Sequence, residues 1–267
     1  MDIALKEHIS DVLGEAILGT SPMSGGDINY AVKVETKQNV YFVKWNDIPQ
    51  ALAMFESEAF ALQSLQSTQT IRIPNVITVS SFENKAYLIL QFIHSKHKPD
   101  SSDLGNFGRQ LAKLHLAPAD DFGYSENNFI GRLAQANPKS DNWSEFYIKY
   151  RLDSQLATAK NHGYLSDISA KGVEKFYTMV ESLLKDATAS LLHGDLWSGN
   201  YIIAENGESY LIDPASYHGH AEVDLAMTEL FGGFGKDFYN GYNDVTKIST
   251  SFTDRKEIYQ LYYLLAP

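Results

Sequence analysis

His193-Gly194-Asp195-Leu196-Trp197-Ser198-Gly199-Asn200-Tyr201-Ile202-Ile203-Ala204-Glu205-Asn206-Gly207-Glu208-Ser209-Tyr210-Leu211-Ile212-Asp213 is the stretch that decides how this chain is read. Asn206-Gly207 stands between two apolar-rich runs, Tyr201 to Ala204 and Ser209 to Ile212. Both residues tolerate positive φ, so the pattern predicts a two-residue hairpin with a type I′ turn. In that register Glu205 pairs with Glu208, and Asn200 faces Asp213. Directly opposed residues lie about 4.5–5.5 Å apart. An amide oxygen and a carboxylate then meet at the open end, with Asp195 just upstream. Hard oxygen ligands so placed suit Mg²⁺, which takes one or two carboxylates and completes its shell with phosphates and water.

Asp195 and Asn200 have the spacing of the Asp and Asn in a kinase catalytic loop. Chemistry gives each a role: Asp195 orients a substrate hydroxyl and accepts its proton, Asn200 binds magnesium, and Asp213 bridges metal and phosphates. Pro214 biases Asp213 toward extended backbone. Taken singly, each residue has a plainer reading as a turn, cap or loop group; the combination is what points to phosphoryl transfer. Two further requirements appear upstream. Lys44 lies in the apolar strand Tyr41-Phe42-Val43-Lys44-Trp45, where it is either an edge residue or a phosphate ligand. Glu58, on a helix predicted from Leu52 to Leu65, is preferred as its partner; Glu56 is the competitor, two residues away and so on another helix face. Ser24-Gly25-Gly26-Asp27-Ile28-Asn29 joins two strand-like runs, and Gly25 and Gly26 allow backbone N–H groups to approach phosphates. No GxxxxGK[ST] occurs, which excludes a P-loop. Gln91, Phe92 and Ile93 follow a strong apolar strand and are placed to offer backbone hydrogen bonds to adenine. Trp197 and, more weakly, Trp143 are candidate substrate walls, with core packing as the alternative for both.

Around this site the organisation is α+β. Strands are predicted at Ala31 to Glu35, Val40 to Trp45, Val76 to Ser80 and Lys85 to Ile93, beside helices at Asp2 to Leu13 and Leu52 to Leu65. From Ser101 the pattern is helical, N-capped by Asp100-Ser101-Ser102, with further helices near 142–161, 168–188, 223–231, 235–243 and 253–266. The expectation is a small β-rich lobe, 1–93, and a larger helical lobe, 94–267, hinged near 92–100. The 44% hydrophobic and 21% charged content is that of a globular chain. A net charge of −11 with no basic cluster argues against nucleic acid, and the absence of cysteine excludes thiolate chemistry. No leader or membrane span is visible, so no membrane partner is expected and the cytoplasm is the default location. His218 and His220 lack a ligand set and read as loop histidines. Asp224 reads as a helix N-cap or as a brace for the catalytic loop.

Together these residues resemble the protein-kinase-like superfamily, and more closely the fructosamine kinase (ketosamine-3-kinase) family. His193 to Asn200 carries most of the resemblance. Ser24 to Asn29, Met54 to Glu58, Asn142-Trp143 with Arg151-Leu152, Glu222 to Ala226, Phe231 to Phe234 and Tyr259 to Tyr262 support it in order. The resemblance implies a bilobal kinase-like fold, ATP with Mg²⁺, and phosphorylation of the 3-hydroxyl of a ketosamine such as fructosamine or ribulosamine, free or on glycated lysine. Asp27 stands where many members carry cysteine, and the chain stops where similar proteins usually continue the last helix. Gly194 replaces the Arg that receives an activation-loop phosphate in many protein kinases, and no APE segment follows Asp213, which favours a small-molecule substrate. A kinase of an aminoglycoside or choline and a catalytically silent nucleotide-binding protein are the rival readings.

Overall fold

The computed structural model describes residues 1–23, 28–161, 163–164 and 169–265. The expected phosphate-covering role of Gly25 and Gly26 lies outside the described residues. Helix α1 (Ile3–Leu13) is capped by Asp2, whose carboxylate accepts from the Leu5 N–H, and ends at Gly14. Strands β1 (Gly19–Pro22), β2 (Tyr30–Glu35) and β3 (Val40–Asn46) follow. Helix α2 (Ala51–Ser67) then precedes β4 (Val76–Phe82) and β5 (Lys85–Gln91). These strands form one antiparallel sheet ordered β1-β2-β3-β5-β4.

Side-chain alternation explains how the sheet is covered. Leu5 and Ile9 of α1 pack with Val43 and Trp45 of β3 and with Tyr87 and Ile89 of β5. Leu88 and Leu90 face the other way, toward Phe55, Leu62 and Leu65 of α2. A strand buried on both faces reads as one continuous apolar run, which is why β5 was so visible in the sequence. The same period of two puts Lys44, between Val43 and Trp45, on the α2 side.

The remainder is mainly helical. Helix α3 (Ser101–His115) starts with a capping box in which Asp100 and Asp103 exchange side-chain and backbone hydrogen bonds. A short hairpin, β6 (Asn128–Ile130) and β7 (Leu133–Gln135), follows. The run expected to be one helix near 142–161 is α4 (Trp143–Tyr147), a π-turn over Ile148–Leu152 and α5 (Asp153–Asn161). Then come α6 (Ala170–Leu184), β8 (Ala189–Leu191), β9 (Tyr201–Ile203), β10 (Ser209–Leu211) and β11 (His218–His220). Helices α7 (Glu222–Leu230), α8 (Gly235–Val245) and α9 (Phe252–Leu265) end the fold. One hydrophobic core runs from α2 and β5 through α3 to α9, so the sheet and the helices are packed as one body. None of the described helices is long and apolar enough to cross a membrane.

The hairpin that decided the reading exists, but one residue out of the expected register. Ile203 faces Ser209, Ile202 faces Tyr210 and Tyr201 faces Leu211. Gly207 donates to Ala204 O at 2.8 Å, and Ala204 donates to Glu208 O at 2.8 Å. Gly207 has φ 83°, whereas Asn206 is not among the residues with positive φ. The loop is therefore three residues, Glu205-Asn206-Gly207, with glycine alone in the left-handed position. Asn206 instead uses its side chain, accepting from the Glu208 N–H at 3.1 Å. Asn200 consequently faces Ile212, whose N–H donates to its carbonyl at 3.1 Å, and Asp213 lies one step beyond.

Candidate active site

Lys44 is 3% exposed and sits at the centre of an ionic triad. Its Nζ donates to Glu58 Oε1 and Oε2 at 2.7 and 2.8 Å and to Asp213 Oδ1 at 2.5 Å. Burial alone would lower its pKa, but the charges of Asp213 and Glu58 outweigh this and hold the ammonium protonated. Glu58, and not Glu56, makes the pair. Its carboxyl is lifted above the usual carboxylate range by burial, against the pull of Lys44.

The loop between β8 and β9, which carries Asp195 and Asn200, is fixed from three sides. Asp224 of α7 is fully buried, and its carboxylate accepts from the His193 N–H at 2.7 Å and the Gly194 N–H at 2.9 Å. His115 of α3 holds the same carboxylate at 3.1 Å and contacts the Tyr242 hydroxyl at 2.9 Å. Burial opposes its ionisation, but these donors keep Asp224 below its ordinary pKa. The Tyr263 hydroxyl of α9 donates to Gly194 O at 2.7 Å. Gly194 has φ 83°, and a Cβ there would fall 2.1 Å from Ala215 O, so this position admits only glycine. His193 Nδ1 accepts from the Asp195 N–H at 3.2 Å, which makes Nε2 the protonated nitrogen that donates to Ile212 O at 2.8 Å.

Asp213 departs from the extended backbone expected before Pro214: its φ is 54°. Bonds on both flanks force the turn. Ile212 is held by His193, Ala215 donates to His193 O at 2.9 Å, and Lys44 takes the Asp213 carboxylate. Asn200 turns its Nδ2 to the carbonyl of Asp195 at 2.9 Å and to Asp195 Oδ2 at 3.2 Å. Among the described residues no hydrogen bond is made by its amide oxygen, which borders the cleft with the Asp213 carboxylate. No group of three or more His, Cys, Asp or Glu able to hold a metal occurs among the described residues. One amide and one carboxylate, completed by phosphate oxygens, is the donor set Mg²⁺ accepts. Asp195 itself is pushed up to about 7 by burial, by Asp213 and by Asp224, against the hydrogen bond from Asn200.

Lys44, Glu58, Asp195, Asn200 and Asp213 line one cavity of about 680 Å³ between sheet and helices, together with Gln91, Phe92, Ile93 and Trp197. Gln91 and Phe92 spend their N–H groups on Asn75 O at 2.9 Å and Val40 O at 3.4 Å. The Ile93 N–H has no such partner among the described residues.

A family model described as fructosamine kinase matches residues 1–267. The chain belongs to the fructosamine kinase family. It is 38% identical over 266 residues to a probable ketoamine kinase of Synechocystis, covering 98% of this chain and 88% of that protein. It is 36% identical over 249 residues to the chloroplastic protein-ribulosamine 3-kinase of Arabidopsis thaliana, covering 91% and 74%. A crystal structure of a candidate fructosamine-3-kinase from Haemophilus somnus superposes with a TM-score of 0.87 at 27% identity, covering 98% and 88%.

One expected wall of this fructosamine kinase's site is misplaced. Trp143 is 2% exposed, packs among Phe122, Phe146 and Tyr147, and donates its Nε1–H to the Tyr259 hydroxyl at 3.1 Å. It is a core residue outside the cleft. Trp197, 37% exposed, does line it. The sequence reading missed the β6–β7 hairpin, which contributes Phe129, Ile130 and Gly131 to the cleft. Asn128 and Gln135 anchor that hairpin: Asn128 donates to Ser216 O at 2.7 Å, and Gln135 donates to Asn128 at 2.8 Å. Its signal was slight, a glycine between two three-residue strands. Tyr263 gave no signal of its own within an aromatic helix.

Proposed function

We infer that this protein is an ATP-dependent ketosamine kinase that phosphorylates the sugar 3-hydroxyl. The single observation that carries the reading is Asp195, Asn200, Asp213 and the Lys44–Glu58 pair lining one cleft, in a chain of the fructosamine kinase family. The ribulosamine relative is named for position 3, which supplies the regiochemistry.

Lys44, steadied by Glu58, positions the α- and β-phosphates. The Ile93 N–H, in the segment Gln91 to Ile93, receives the adenine. Asn200 and Asp213 would hold Mg²⁺, which would supply positive charge against that developing on the phosphates. Asp195 orients the 3-hydroxyl and takes its proton while the oxygen bonds to the γ-phosphorus and ADP leaves. A carboxyl near 7 is matched to proton acceptance near neutral pH. Trp197 lies against the sugar or its amine. Free sugar-amines and glycated lysine both present this group, and the cytoplasm is the proposed setting.

ADP release measured over a panel of ketosamines and plain amines tests the reading. Turnover should require both ATP and a ketosamine. Turnover confined to choline or aminoglycosides would overturn it.

A further inference from the structure

We propose that Phe231, with Trp197, forms an aromatic corner at the cleft mouth that receives the substituent on the substrate's nitrogen and selects among ketosamines. This rests on the ketosamine reading above. Few of the described aromatic residues are exposed, and Trp197 at 37% and Phe231 at 62% are among them. Their rings meet nearly edge to face, at 75° with centroids 6.3 Å apart. Trp197 lines the cavity two residues after Asp195, and Phe231 stands beside it just outside.

The corner is built into the fold. The outer edge of the Trp197 benzene ring sits close to Gly199, where a Cβ would come within 2.3 Å of it. Phe231 is the C-cap residue of α7. The next turn seats Gly233 against Ser198, 2.6 Å from Ser198 Cβ to a built Cβ, which ties the Phe231 loop to the catalytic loop. The Tyr201 hydroxyl donates to Gly233 O at 3.4 Å.

Charge and chemistry name the occupant. Among the described cleft-lining residues Glu58, Asp195 and Asp213 are acidic, and Lys44 is the single base, already paired. A ketosamine nitrogen is a secondary ammonium a few bonds from the 3-hydroxyl. With that hydroxyl at Asp195, the nitrogen falls beside Trp197, where an aromatic face attracts a cation. An alkyl chain carried by the nitrogen then runs out over Phe231. Among the described cleft-lining residues no unpaired cation is offered to an anionic substituent.

Steady-state kinetics with N-hexyl and N-methyl 1-amino-1-deoxyfructose separate the possibilities. The wild type should favour the hexyl compound. Phe231→Ala should lower the hexyl-to-methyl ratio of kcat/KM about tenfold, through KM, and Phe231→Tyr, which keeps the ring, should restore it. A ratio within about twofold of wild type in Phe231→Ala overturns the proposal while the kinase reading stands. If the wild type phosphorylates neither compound, the ketosamine reading falls and takes the corner with it.

Discussion

Asp195 is under two opposed demands. In its proposed role its carboxylate must be ionised to accept a proton, yet burial and two neighbouring aspartates raise its pKa to about 7. The folded state therefore binds a proton more tightly than the unfolded chain, and stability is lost as pH rises from the unfolded value near 4 through 7. Asp195→Asn removes that loss. At pH 8 without metal the variant should be more stable by about 2–4 kcal/mol in denaturant titrations, while kcat falls by about 10²–10⁴-fold. A variant that is both slower and less stable would contradict the assignment. Lys44→Met acts the other way: it strands Glu58 and Asp213, costing about 3–5 kcal/mol, and ATP binding by calorimetry should weaken at least about tenfold. Much of this scale was legible in sequence. Lys44 was visible in its apolar strand with its side of the sheet left open, and Glu58 was preferred over Glu56; the fold turns Lys44 toward α2 and pairs it with Glu58. The left-handed backbone of Asp213 was not legible, because hydrogen bonds from distant residues set it against the local preference of a residue before proline.

At the scale of elements, the β9–β10 hairpin shows how a correct element can carry a wrong register. Asn-Gly suits a two-residue turn, but an asparagine that caps with its side chain needs no positive φ, and one more residue enters the loop. Gly207 then bears the whole left-handed requirement, and a Cβ there would also meet Asp103 Oδ1 at 2.7 Å. Gly207→Ala should cost about 1–3 kcal/mol by urea unfolding, whereas Asn206→Gly should cost less than about 1. Asp224 was read as a cap or a brace, and the brace is what the fold uses. Ala221, not Asp224, is the N-cap of α7, and the carboxylate holds two catalytic-loop N–H groups. Asp224→Ala leaves both donors buried without a partner and should destabilise by about 3–5 kcal/mol. The β6–β7 hairpin and the π-turn escaped the reading because strands of three residues and a single wide turn leave almost no periodic trace.

Across the whole molecule, one core joins the sheet to the helices, and the cleft lies where they meet. The cleft brings together Lys44 and Glu58 from the first hundred residues with Asp195, Asn200 and Asp213 from the last, so a ligand touching both groups should stabilise the chain as a unit. Mg-ATP at about a hundred times its Kd should add about 2.7 kcal/mol, read as a rise in Tm that Lys44→Met cuts by about half or more. The α+β class was evident from the order of strands and helices, and the kinase-like fold and the family from a resemblance carried by motifs spread along the chain. The central claim is phosphoryl transfer to a sugar hydroxyl, with Asp195 as the accepting base. Its most direct test is ³¹P and ¹³C NMR of the product formed from ATP and a ¹³C-labelled fructosamine. A single phosphate on the C3 oxygen, formed by the wild type and lost in Asp195→Asn, is the predicted result; no phosphorylated sugar, or equal product from the variant, would contradict it.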